Sequence, residues 1–161
     1  MANTPMNPTL GTLLRHLIEN LDSAVEEAYI GSGLDYRPRY TPIVRALLHL
    51  GPSSIRTISN HARISHSAAS QTVSEMVKYG WAQTGKGSDA RQHIVALTPK
   101  AEEAMPTLMR HWAATELAVS DLDQELPYPL SNLLREAIDA LERSPFLQRI
   151  EHAVLQPEVV A

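Results

Sequence analysis

The sequence predicts a mainly α-helical fold that carries one small β-hairpin, and three observations predict it. Apolar residues recur every three or four positions through most of the chain, two short capped helical patterns follow each other between residues 54 and 79, and a glycine-containing basic tip at 85–91 lies between two short strand-like runs. A chain of 161 residues is long enough for one compact domain, so a single domain over 1–161 is expected.

Each element has its own warrant. Leu10, Leu13, Leu14, Leu17, Ile18, Leu21, Val25 and Ala28 recur at helical spacing over a stripe wider than one packing contact needs. A helix over about 9–30 with two buried faces is expected. Gly31, Gly33 and Pro38 interrupt it, and a second helix from Tyr40 to Leu50 follows, with Ile43, Leu47 and Leu50 inward and Gly51-Pro52 as its stop. Past the centre, Thr98-Pro99 has the form of an N-cap and first helical residue, with Glu102 and Glu103 near the positive end of the helix dipole. That helix is expected to reach Val119, with Asp121 to Pro129 as an acidic connection. Leu130, Leu133, Leu134, Ala137, Ile138 and Leu141 stripe the next helix. Ser144-Pro145 repeats the cap signal before a short helix bearing Phe146, Leu147, Ile150 and Val154.

The centre reads as a helix-turn-helix. Ser54 can cap the first helix, Ile55 and Ile58 supply its buried side, and small Ser59 and Ala62 allow a close approach by the second. Arg63 stands where such turns often carry glycine, and because a left-handed conformation there would cost about 1 kcal/mol, a slightly reshaped turn is expected. Ile64 plugs the turn, and Ser65 caps a helix with Ala69, Val73, Met76 and Val77 on one face and His66, Ser67, Ser70, Gln71, Ser74 and Lys78 on the other. Gly80 stops it. Trp81 to Thr84 then alternates as a strand, Gly85 to Arg91 forms the tip, and Gln92 to Leu97 returns. The whole is a winged helix-turn-helix over about 37–98, with flanking helices over about 9–30 and 99–154.

Charge is distributed unevenly along this frame. The net charge is −4, yet residues 51–100 hold six Lys and Arg against two acids, whereas 101–161 hold four against eleven. A basic island inside an acidic chain suits one face that meets phosphates. The outward stripe of the second helix is short, polar and nearly free of acids, as entry into a major groove requires. No arginine lies on it, which leaves Gln71 as the base reader, with an adenine preference, and shifts specificity toward DNA shape.

Asp89-x-Arg91, followed after five residues by Leu97-Thr98, together with the preceding helix-turn-helix and Gly80-Trp81, resembles the MarR family of transcriptional regulators. The resemblance implies a wing arginine, Arg91, that reaches a minor groove and an aspartate, Asp89, that orients it. It also implies a homodimer and a duplex DNA partner, with repression of transcription as the outcome. His66, Ser67, Ala68, Ser70, Gln71, Ser74, Lys78, Lys86, Asp89 and Arg91 are the DNA-contacting candidates. Members of the family often bind small aromatic or amphipathic effectors between the dimer helices and the DNA lobe. Carried over, that makes His16, Tyr36, Arg37, Arg39, Tyr40 and Trp112 the effector-site candidates, although the same residues could serve to cap helices and cover the core edge. The alternative function is a winged helix used for protein contacts.

Other classes find little support in the residues. The chain has no cysteine, which excludes disulfides, thiolate metal sites and thiol redox sensing. The seven histidines fall in no His-x-x-x-His or His-Glu-x-x-His pattern, and Trp112 and the methionines sit at packing spacing, so neither a metal nor a cofactor is expected. No nucleophile elbow or phosphate loop points to an enzyme. No run of about 18 apolar residues and no signal-like opening occur, so a cytoplasmic protein without a membrane partner is expected.

Overall fold

The computed structural model describes residues 7–86 and 93–155. In order, these form α1 (Leu10–Gly31), a 3-10 turn (Pro38–Tyr40), α2 (Thr41–Leu50), β1 (Ser53–Ser54), α3 (Ile55–Ala62), α4 (His66–Lys78), β2 (Ala82–Lys86), β3 (His93–Leu97), α5 (Pro99–Glu125), α6 (Leu130–Arg143) and α7 (Phe146–Val154). The chain divides into two compact units, one up to Trp112 and one from Ala113, so that the division falls within α5. No helix among the described residues is long and apolar enough to cross a membrane.

The first unit holds the core. Tyr29 from α1, Tyr36 and Tyr40 from the following segment, Ile43, Val44, Ala46 and Leu47 from α2, and Ile58 from α3 are buried together. Ala69, Val73 and Met76 from α4, Trp81, Val95 from β3, and Ala101, Met105, Leu108 and Trp112 from α5 complete the cluster. Tyr36 is its hub: Tyr29, Tyr40 and Trp81 meet its ring edge-on at centroid distances of 5.0, 5.5 and 5.0 Å. Edge-to-face contacts of this kind add to what area burial alone contributes. The Trp81 indole N–H donates to the Asp35 carbonyl at 2.7 Å, which ties the loop after α1 to the residue that leads into β2.

Three expectations are corrected here. Leu50, assigned inward, is exposed at the last residue of α2, where Gly51 (φ 71°) turns the chain away; Val44 and Ala46 are buried in its stead. Val77, assigned to the inner face of α4, is also exposed, because it lies at the edge of the arc set by Ala69, Val73 and Met76. The hairpin gains a third strand, since β1 pairs antiparallel with β3 (Ser53 opposite Val95, Ser54 opposite Ile94) in the order β1-β3-β2. Two serines carry no alternation from which such a strand could be read.

In α1, the Thr9 hydroxyl caps the helix by accepting from the Thr12 amide at 3.2 Å. Of the expected two buried faces, only the one near Tyr29 and Val25 is covered among the described residues; Leu10, Leu13, Leu14, Ile18 and Leu21 are exposed. Helix α5 outruns its expected end at Val119. Asp121 to Glu125 continue the helix because nothing there breaks it until Pro127, which disfavours helical geometry at the preceding residue.

In the second unit, one carboxylate organises the turn into α6. Asp123 accepts from the Leu130 amide at 2.7 Å and the Ser131 amide at 3.3 Å, and the Ser131 hydroxyl donates to it as well. These are N-terminal amides that the helix itself cannot satisfy. Ser144 was expected to cap α7 but makes no such bond; its carbonyl accepts from Arg149 Nε at 3.0 Å. Neither α6 nor α7 buries a single residue.

Candidate functional site

The expected helix-turn-helix forms as α3 and α4. The Ser54 hydroxyl accepts from the Thr57 amide at 3.2 Å, and the Ser65 hydroxyl accepts from the Ala68 amide at 3.1 Å, so both predicted caps are made. Between the helices Arg63 adopts the left-handed conformation (φ 53°, ψ 40°), the only non-glycine residue with positive φ among those described. Ile64 packs against the core behind the turn, and Ser59 is buried at the crossing, its hydroxyl donating to the Arg56 carbonyl at 2.9 Å.

Helix α4 leaves its polar side to solvent. His66, Ser67, Ala68, Gln71, Ser74 and Lys78 are exposed and Ser70 is half-buried, so the predicted outward stripe stands as one accessible face. The Ser74 hydroxyl donates to the Ser70 carbonyl at 2.9 Å, and the Lys78 ammonium lies 5.5 Å from the Tyr79 ring centroid. Gly80 (φ 75°) ends the helix. Thr98 then closes the base of the hairpin: its hydroxyl donates to the Gly80 carbonyl at 2.6 Å and accepts from the Ala101 amide at 3.3 Å, capping α5 as expected. The Lys100 ammonium donates to the Tyr79 carbonyl at 2.9 Å and covers the Trp81 ring at 4.6 Å. β2 and β3 pair from Ala82 opposite Leu97 out to Lys86 opposite His93. Asp89 and Arg91 lie outside the described residues.

One feature of α4 escaped the sequence reading. Glu75, one turn beyond Gln71, is held by two arginines from the segment before α2: Arg37 Nη1 lies 2.8 Å from its carboxylate, and Arg39 pairs with the other oxygen. The Tyr40 hydroxyl donates to the same carboxylate. Partial burial pushes the Glu75 pKa up, but the bonds from Arg39 and Tyr40 and the charges of Arg39 and Arg37 prevail and hold it below the ordinary glutamate value. Burial, with the Glu75 contact second, pushes the Tyr40 phenol up to about 12. Arg37 also lies 5.4 Å from the Tyr79 ring centroid. The pairing spans more than thirty residues of sequence, and no local pattern signals it.

The six effector-site candidates are dispersed in their roles. Tyr36 and Tyr40 are buried in the aromatic cluster, and burial raises the Tyr36 phenol above its usual value. Arg37 and Arg39 grip Glu75 and, with Pro38, Asp22 and Glu26, line a cleft of about 190 Å³. Burial, reinforced by Glu26, pushes the Asp22 carboxyl upward there. His16 is exposed on α1, 3.3 Å from the Asn20 amide. Trp112 is buried with its indole N–H unpartnered, and the Arg45 guanidinium lies 5.0 Å from its ring. Among the described residues no three His, Asp or Glu side chains are grouped to hold a metal ion.

No family model matches the chain, and no curated protein matches it. Solved structures do. The PcaV transcriptional regulator from Streptomyces coelicolor, in complex with its natural ligand, gives a TM-score of 0.63 at 16% identity, over 89% of this chain and 99% of that one. A MarR family transcriptional regulator from Silicibacter pomeroyi DSS-3 gives 0.60 at 21% identity, over 86% and 99%. Overoxidized AbfR bound to DNA gives 0.60 at 17% identity, over 83% and 90%. At such identities the likeness establishes a shared fold: a mainly helical chain with a small β wing.

Proposed function

We propose that this chain is a MarR-family regulator, a cytoplasmic repressor that binds duplex DNA as a symmetric homodimer. The observation that carries the reading is the outer face of α4, where His66, Ser67, Gln71, Ser74 and Lys78 are exposed together while Ala69, Val73 and Met76 anchor the helix behind them. Small polar side chains on a helix backed by a rigid core can approach base edges closely. The fold shared with AbfR, a protein solved bound to DNA, supports the same reading.

The residues divide the labour as follows. Ser67, Ala68, Ser70, Gln71 and Ser74 face the major groove, with Gln71 as base reader, while His66 and Lys78 bracket them. Lys86 and Arg91 carry the wing to phosphates and a flanking minor groove, with Asp89 orienting Arg91. The exposed leucines of α1, and separately those of α6, support a second copy of the chain as their cover, with about 9–30 and 99–154 as dimerisation helices around a DNA lobe at 37–98. A small aromatic or amphipathic effector at His16, Tyr36, Arg37, Arg39, Tyr40 and Trp112 would control the dimer; the ligand-bound state of the structurally similar PcaV supports that part.

Selection of bound duplexes from a random pool tests the proposal. A near-palindromic site is expected, with half-sites about one helical turn, roughly 34 to 36 Å, apart. A pool in which no duplex is enriched, with no retention of random duplex even at low salt, would overturn it.

A further inference from the structure

We propose that Glu75 sets the sequence selectivity of the recognition helix by holding Arg37 and Arg39 on the protein and away from DNA phosphates. The inference rests on the DNA-binding reading above and adds to it a residue that contacts no base. Glu75 is placed four residues after Gln71, and side chains so spaced on a helix have Cβ atoms only about 5 to 6 Å apart. Its Cβ therefore borders the surface offered to the groove, while its carboxylate reaches Arg37, Arg39 and Tyr40.

Two facts decide which partner is fixed. Glu75 is the more buried member, with its side chain 19% exposed against 38% for Arg37 and 53% for Arg39. It is also held from within by the hydroxyl of Tyr40, which is itself 1% exposed. The carboxylate is thus part of the core's edge, and the arginines are long, partly solvated arms that come to it. A guanidinium fork binds carboxylate and phosphate oxygens with the same geometry. Glu75 accordingly occupies, from inside the protein, the position that a phosphate would otherwise take. Asp22 and Glu26, which line the same cleft, hold further negative charge beside the two arms. Without Glu75, two cations next to the recognition helix would turn to any DNA backbone, adding affinity that carries no sequence information.

The test uses the full-length protein with a selected duplex and a random duplex of equal length, across a salt series. Glu75→Gln keeps the shape and the acceptor for Tyr40 but removes the charge. It is expected to tighten random-duplex binding by about tenfold at low salt, to steepen the log–log salt slope by about 1 to 2, and to lower the ratio of selected to random affinity. Adding Arg37→Gln and Arg39→Gln to it should return the slope to the wild-type value. Thermal melts identify any variant that has lost its fold, and Arg37→Gln with Arg39→Gln alone then carries the test: a slope equal to wild type is expected, and a shallower one, showing that the two arginines already neutralise phosphates in the unaltered chain, would overturn the proposal. If Glu75→Gln is folded and either leaves slope and ratio unchanged or weakens both duplexes alike, the proposal is overturned while DNA binding stands. If the unaltered chain retains neither duplex at any salt concentration, the DNA-binding reading itself falls.

Discussion

Helices α4 and α6 are nearly equal in length, 13 and 14 residues, and both are amphipathic, yet they treat their two sides in opposite ways. α4 buries Ala69, Val73 and Met76 against its own chain and offers serines, a glutamine and a histidine to solvent. α6 buries nothing: Leu133 is 47% exposed, Leu134 38%, Ile138 53% and Leu141 43%. The difference shows where each helix is completed. The apolar side of α4 is satisfied by intrachain packing, so its polar side is free for a partner. The apolar side of α6 is left exposed among the described residues, and a short isolated helix gains little stability without cover.

Trp81→Ala gives the largest break in this contrast. Trp81 is almost fully buried and is tied to Asp35, so its truncation should cost about 3 to 5 kcal/mol in the first unit, read from denaturant melts at one fixed protein concentration. A loss under about 1 kcal/mol would mean that α4 does not depend on the chain's own core. Next in size is Leu134→Glu combined with Ile138→Glu. Burying such a side chain is worth about 1.5 to 3 kcal/mol, so the double change should raise the dissociation constant of the proposed dimer at least 100-fold in sedimentation experiments, with little effect on the Trp81 environment. An unchanged association state would place the cover of α6 elsewhere.

Gln71→Ala probes the opposite face and, on the proposed base-reading role, should cost about 1 to 3 kcal/mol on a selected duplex and far less on a random one; equal losses on both would remove that role. Smaller still is Arg63→Gly, which relieves the left-handed strain between α3 and α4 and should stabilise by at most about 1 kcal/mol in thermal melts, offset in part by the greater freedom of glycine when unfolded. Destabilisation would mean that the Arg63 side chain contributes more than its backbone costs.

The mildest effect concerns pH. The Ser131 hydroxyl, outweighing the upward push of burial and joined by the Ser131 and Leu130 amides and Arg135, holds Asp123 below the usual aspartate range. A carboxyl depressed in the folded state contributes its stability above its unfolded pKa and loses it as the pH falls through the folded one. Acidification below the ordinary aspartate range should therefore speed hydrogen exchange at Leu130 and Ser131. Asp123→Asn should exchange faster already at neutral pH and respond less to acid.

Features that depend on neighbours in sequence were legible beforehand. The caps at Ser54, Ser65 and Thr98 each join a hydroxyl to an amide three residues on, whereas Arg63 takes the left-handed conformation in place of the reshaped turn expected there. The polar stripe of α4 follows from the 3.6-residue period. Local pattern failed at α5, where acidic residues looked like a connection but propagate a helix as readily as end one, and at Val77 and Leu50, whose periodicity is right but whose places lie at the rim of the packed surface.

The caps at Ser54, Ser65 and Thr98, the helical periods, the stops at Gly51 and Gly80 and the uneven charge were determined by the sequence alone, because each is settled within one helical turn or by simple counting. Tertiary structure decided that two serines join β3 as a strand, that Tyr36 becomes the hub of four aromatic rings, and that Glu75 is gripped by Arg37 and Arg39. Ser53 with Val95, Tyr36 with Trp81, and Glu75 with its two arginines join residues tens of positions apart. Their geometry exists only once the core has brought distant segments within a few ångströms, where a hydrogen bond or ion pair falls off too steeply to be read from separation along the chain.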